Sequence, residues 1–209
     1  MKKLPVKYFL NYMLRPVEES DVKDYFLIGS DEETVKFLSW YPFKHVEEAV
    51  IHFNNLYFSD EYRDEPQGYA IVDLETNRMI GVIDFHTTNK ILKSAHIGYL
   101  LKKEYWNQGI ITKAVEIMLE VGFKELKLEK IVVRTIKENY ASRKVCEKNN
   151  FRLHNIKKNN YYHGKTRTYY DVYKYVMERK VYYDSKAKGN LWFNARRNKK
   201  VSGIRKPSN

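Results

Sequence analysis

The sequence predicts a mixed α/β (α+β) domain, one mixed sheet with helices on both faces. Three observations lead there. Short β-branched and aromatic runs alternate with amphipathic stretches, in the order β-αα-βββ-α-β-α-ββ. Twice a strand-like run passes through a short turn into a helix: HIGYLL before Gly109, and KIVVRT before Asn139. The chain has 209 residues and is 43% hydrophobic, which suits one ordinary domain with room for an appendage.

Each element has its own warrant. Residues 8–17, YFLNYMLRPV, are β-forming and read as a strand. Residues 18–39 read as one or two short helices, with Asp21 and Asp31 as N-caps. Tyr41-Pro42-Phe43 is a break, after which residues 45–58 place apolar side chains at helical spacing. Residues 68–73 and 79–85 are strands around the turn residues ETNR, hence a hairpin. Residues 94–101 form the next strand, followed by the turn at Gly109 and its helix. Residues 130–135 are a short β-branched strand and residues 140–148 are helical. Residues 151–162 and 166–177 are two long strands joined by His163-Gly164-Lys165.

Composition excludes several classes. No run approaches a membrane span in apolar length, and the basic N-terminus lacks the apolar core and cleavage site of a signal peptide. One cysteine, Cys146, rules out an intramolecular disulfide and a cysteine-based zinc site; no metal is expected, and a reducing cytoplasm is the default location. The net charge of +12 is uneven. From Asp184 onward eight Lys/Arg face one Asp, which leaves +5 for residues 1–183. We therefore divide the chain into a domain, 1–183, and a basic tail, 184–209. The tail, with its apolar island Leu191, Trp192 and Phe193, reads as a solvated segment or as an arm that touches RNA, a ribosome or an acidic protein.

The turn EYWNQGIIT, residues 104–112, offers free backbone N–H groups at a helix N-terminus, an end that attracts phosphate. Gly109 can take φ/ψ values barred to other residues and lets a ligand approach the backbone. Neither the Walker spacing nor the dinucleotide fingerprint is present, and by itself a lone glycine is equally an ordinary loop. On the second unit Asn139 sits at the strand–helix junction, with Ser142 and Cys146 one turn apart on one face. Two such units side by side would flank one crevice.

Four segments together resemble the GCN5-related N-acetyltransferase (GNAT) superfamily, and within it the branch that acetylates N-terminal amines of ribosomal proteins. They are MLRPVEESDVKDYF (13–26), IGYLLKKEYWNQGIITKAVE (97–116), ENYASRKVCEKNNF (138–151), and the terminal hairpin around HGK followed by YYDVYKYVM. The resemblance implies a mostly antiparallel sheet of about seven strands, splayed between strands 4 and 5. It implies acetyl-CoA as cofactor and an amine as acceptor. Backbone at Leu100 and Leu101 would pair with the pantetheine arm. Trp106, Asn107, Gln108, Gly109, Ile110, Ile111 and Thr112 would form the pyrophosphate loop, and Asn139 and Ser142 would hold the arm. The family pattern has Gly or Ala where Ile111 stands, so Ile111 adds bulk beside the phosphates. Asn150 stands where glycine is usual, and asparagine tolerates that conformation.

For catalysis the resemblance leaves choices. His96, where relatives carry Glu, and Asp84 on the preceding strand are the candidates for the base. Ser142 is the candidate to hydrogen-bond the departing thiolate. Cys146, at the position of the superfamily's acid tyrosine, reads as a buried packing residue. Trp40 and Tyr41 fall either on the acceptor site or in the core. The expected acceptor is a protein N-terminal amine, ribosomal-protein-like. A small amine such as an antibiotic or polyamine, and a non-catalytic CoA- or RNA-binding module, are the alternatives. The sequence leaves monomer or homodimer open.

Overall fold

The computed structural model describes residues 4–58 and 68–187. It contains an eight-stranded sheet in the order β1-β2-β3-β4-β5-β6-β8-β7. The strands are β1 (Lys7–Phe9), β2 (Tyr12–Pro16), β3 (Tyr69–Asp73), β4 (Arg78–Asn89), β5 (Ser94–Leu101), β6 (Lys130–Ile136), β7 (Arg152–His163) and β8 (Thr168–Glu178). The helices are α1 (Val22–Gly29), α2 (Glu32–Val35), α3 (Val46–Tyr57), α4 (Ile110–Glu120), α5 (Tyr140–Lys148) and α6, residues 179–187. Every neighbouring pair of strands is antiparallel except β5 and β6.

Apolar side chains on the two sheet faces build two cores. One face packs Ile71, Ile83, Ile97 and Val133 against Ala114, Met118 and Cys146 of α4 and α5, and Tyr182 of α6 joins it. The other packs Ala70, Val72, Val82 and Leu100 under Tyr25, Ile28, Phe53 and Tyr57 of α1 and α3. β3 is buried along its whole length because both layers cover it. The tail's apolar island at residues 191–193 lies outside the described residues.

Two expectations change. The single strand at residues 8–17 is a hairpin, β1 and β2, with Phe9 opposite Tyr12 and Leu10 at φ 49° in the turn. The two turn residues are Leu10 and Asn11; asparagine is a turn former, but leucine is not, and the apolar run across it reads as one strand. The sheet thus has eight strands instead of about seven, and the splay falls between β5 and β6, the same two segments under a shifted count. Asp21 does not cap α1. It lies in a 3-10 turn, Glu19–Asp21, where it is 4% exposed and paired with the Arg15 guanidinium at 2.7 and 2.8 Å. Asp31 does cap α2, accepting from the Thr34 N–H at 2.8 Å.

The splay positions the site. β5 and β6 pair only through Ser94, Ala95 and His96, opposite Lys130, Ile131 and Val132. Past His96 the ladder between them stops, although β5 continues to Leu101 and β6 to Ile136. Two parallel strands that part at their carboxyl ends leave a wedge, and α4 and α5 start at its lips.

Candidate active site

The first wall of the wedge is the α4 turn. Gly109 caps α4 at φ +79°, and Asn107 just before it is also left-handed, at φ 60°. A Cβ built on Gly109 would meet nothing within 4 Å, so glycine is required by conformation and not by crowding. The first turn of α4 carries no acidic residue. A cleft of about 440 Å³ runs from this turn to α5, lined among others by Leu100, Leu101, Trp106, Asn107, Gly109, Ile110, Ile111, Thr112, Asn139 and Ser142. Of the expected cofactor residues only Gln108 is missing from that lining: its side chain is exposed and folds back to donate to the Glu104 carbonyl at 3.1 Å. The Leu101 carbonyl accepts from the Trp106 indole at 2.7 Å, fixing the turn against the end of β5. Ile111 is half-buried against the α4 core. The cleft also contains Lys144 and Lys148, which sequence reasoning missed, and Lys36 beside Glu33. Open left-handed backbone, a helix N-terminus and lysines suit a pyrophosphate-bearing ligand such as CoA.

The second wall is α5. Asn139 caps it, its Oδ1 accepting from the Ser142 N–H at 3.1 Å. Ser142 is 8% exposed, and its Oγ lies 2.7 Å from the Tyr99 hydroxyl. Burial, and after it the neighbouring Cys146 thiol, raise the Tyr99 pKa well above the ordinary range, so Tyr99 stays protonated and able to donate. Cys146 is fully buried, and burial pushes its thiol up to about 12, so it is an inert packing group. Asn150, past the end of α5, sits at φ 60°.

The third group lies on the opposite sheet face. Asp84 and His86 project from β4 on one face, and in the register they stand opposite Gly98 and His96 of β5. His86 Nδ1 is 2.8 Å from Asp84 Oδ1, and the Tyr57 hydroxyl donates to Asp84 Oδ2 at 3.1 Å. The His96 ring packs edge-on to His86 at 5.8 Å. Gly98 makes this possible. A Cβ there would lie 2.9 Å from His86 Cε1 and 3.3 Å from Asp84 Oδ1. Burial first, and then His86, Arg134 and Lys174, lower the His96 pKa to about 4, so the ring is neutral at pH 7. The pair borders a cavity of about 460 Å³ walled by Tyr25, Trp40, His52, Tyr57 and Leu100. Trp40 belongs to it, stacked on Phe43 at 4.6 Å, whereas Tyr41 is 62% exposed.

A third cleft, about 520 Å³, lies in the splay itself and touches His86, His96, Asn139 and Ser142. Leu38 and Tyr99 line all three spaces. All three candidate catalytic residues, His96, Asp84 and Ser142, therefore border one junction. Sequence reasoning missed His86 and Tyr99. Their signal was HIGYLL itself: a glycine inside a strand marks a close approach from the neighbouring strand.

A cleft with a helix N-terminus and lysines along its wall thus meets, at a splay in the sheet, a cavity holding a carboxylate–imidazole pair. Residues 11–152 match the acetyltransferase (GNAT) domain, and the chain belongs to that family; it is an acetyl-CoA-dependent N-acetyltransferase. It is 33% identical over 99 residues to the Bacillus subtilis (strain 168) protein named "Probable N-acetyltransferase YjcK", 47% of this chain and 55% of that one, so it spans about half that relative's length. Two solved structures share the fold. The ribosomal L7/L12 alpha-N-protein acetyltransferase RimL aligns at TM-score 0.72 and 24% identity, over 85% of this chain and 94% of that one. The spermidine N-acetyltransferase of Vibrio cholerae, in complex with CoA and spermine, aligns at TM-score 0.71 and 18% identity, over 82% and 98%.

Proposed function

We propose that this chain acetylates the N-terminal amine of a polypeptide, a ribosomal protein being the favoured class, in the reducing cytoplasm. The observation that carries the reading is the junction at Tyr99, where the cofactor cleft meets a cavity holding the Asp84–His86 pair. When bound, acetyl-CoA supplies a thioester carbonyl to be attacked and a thiol as leaving group. The chain's own residues do the rest. Asp84 holds the His86 ring by Nδ1, and the ring's Nε2 takes the ammonium proton of the acceptor. Tyr57 anchors the other Asp84 oxygen. His96, neutral at pH 7 and too weak a base for direct abstraction, accepts a hydrogen bond from a water or from the amine. From the other side of the splay the Ser142 and Tyr99 hydroxyls are hydrogen-bonded to each other, which leaves one O–H of the pair to donate to the sulfur as it leaves. The Asn139 oxygen is already committed to the α5 cap, so its amide N–H is what remains for the pantetheine arm.

A polyamine suits this site less well. It carries several positive charges, Asp84 is the single carboxylate among the described residues that line the cavity, and the chain carries +12.

Acetyl-CoA should bind in calorimetry, and the chain should acetylate N-terminal peptides in preference to spermidine. Asp84→Asn should lower kcat/KM by roughly a hundredfold, the size of a general-base contribution, with acetyl-CoA affinity unchanged. No binding at millimolar acetyl-CoA would remove the enzymatic reading, and preferential acetylation of spermidine would remove the peptide one.

A further inference from the structure

The sheet face that bears Asp84, His86 and His96 does not end at the splay. On β6, β8 and β7 it continues as two cross-strand rows, Arg134–Lys174–Asn155 and Ile136–Val172–Lys157. Arg134 and Lys174 are direct cross-strand neighbours. Like charges in that position destabilise a sheet, and a chain normally avoids them or sets a carboxylate between them. Here neither happens. Among the described residues no carboxylate pairs with Arg134, Lys157 or Lys174. Asp171, the nearest acid on β8, alternates to the other face and accepts from the Asn159 N–H. The three cations border a depression of about 300 Å³ that has His96 as its inner edge. A local rule broken without internal compensation points to a ligand that supplies the compensation.

We propose that this shelf binds the carboxylates of an acidic segment just behind the acceptor's N-terminal amine, so that the enzyme selects acidic N-termini. The inference rests on the peptide-acceptor reading above. Geometry sets the register. Paired strands lie about 4.8 Å apart, so Arg134 on β6, two strands from His86 on β4, stands at least roughly 10 Å from it, and an extended peptide advances about 3.3 Å per residue. The carboxylates therefore belong at about the second to fourth residues of the acceptor. A nucleic acid would satisfy the charge, but the shelf abuts amine-handling groups, and RNA brings no alkyl amine to them.

The test uses full-length chain, acetyl-CoA and two fluorescent N-terminal octapeptides that differ only at positions 2–4, Glu in one and Lys in the other. We expect the Glu peptide to have a KM lower by about tenfold, and that advantage to fade with added salt. The double variant Arg134→Gln/Lys174→Gln should raise KM for the Glu peptide with little change in kcat, and Lys157→Gln should do so more weakly. Binding is read separately by anisotropy, with a single-stranded RNA of matched charge as competitor. Equal use of both peptides, or a variant that leaves the Glu-peptide KM unchanged, overturns the shelf and leaves the peptide-acceptor reading standing. Tight, Arg134-dependent binding of the Glu peptide without acetylation supports the shelf and overturns the acceptor reading. Displacement of the Glu peptide by RNA at equal concentration shows a nucleic-acid surface instead and overturns the proposal.

Discussion

At the scale of single residues, left-handed glycine and asparagine left their mark in the sequence, whereas left-handed Leu10 and the residues whose role depends on a neighbour strand did not. Gly109 and Asn150 were legible because left-handed φ restricts residue type. His86 and Tyr99 are ordinary strand residues until the register sets His86 over Gly98 and α5 brings Ser142 to the Tyr99 hydroxyl. Gly109→Ala forces a side chain into φ +79°, a strain of about 1 kcal/mol. Since no atom stands in its way, the strain alone should lower the melting temperature, by about 2–4 °C, and any shift of the turn that relieves it should weaken acetyl-CoA binding in calorimetry. Ser142→Ala removes the hydroxyl partner of Tyr99 and a donor to the leaving sulfur. It should lower kcat by roughly ten- to a hundredfold, the worth of one hydrogen bond to a charged group, with acetyl-CoA affinity within about twofold. Tyr99→Phe should resemble it if the two hydroxyls act as a pair.

At the scale of elements, the two strand–turn–helix units were readable because periodicity and cap residues act locally. What roofs the site was not. The tip of the β7–β8 hairpin reaches the segment after α2: His163 Nε2 contacts the Leu38 carbonyl at 3.1 Å, and Lys165 Nζ donates to the Val35 carbonyl at 2.5 Å. Leu38 lines all three spaces of the site, so the hairpin tip sets their common wall. These partners are 125 and 130 residues apart in the chain, beyond any sequence pattern. Lys165→Ala deletes a donor from a carbonyl at the end of α2. It should cost about 1 kcal/mol in chemical denaturation and raise the acceptor KM more than the acetyl-CoA KM. Equal effects on the two KM values would show that the tip does not shape the acceptor side.

At the scale of the whole molecule, charge and protonation govern behaviour. His96, His52 and His163 all have pKa values lowered first by burial, His96 to about 4. Above about pH 6.5 folded and unfolded states both hold these rings neutral, and they add no pH dependence. Between about 6.5 and 4 the unfolded chain binds protons that the folded chain refuses, so stability falls as pH falls. Thermal melts should show that decline, and His96→Gln should flatten part of it.

The hairpin tip has a further consequence, for the order of events during synthesis. Val35 and Leu38 leave the ribosome early, and their partners His163 and Lys165 leave near the end of the domain. A growing chain can therefore assemble α1 to α5 and still lack the wall that separates donor from acceptor. The long sequence separation makes this contact slow to close. Activity in a nascent chain should begin only after β8 has emerged, which makes acetyl transfer a late readout of folding.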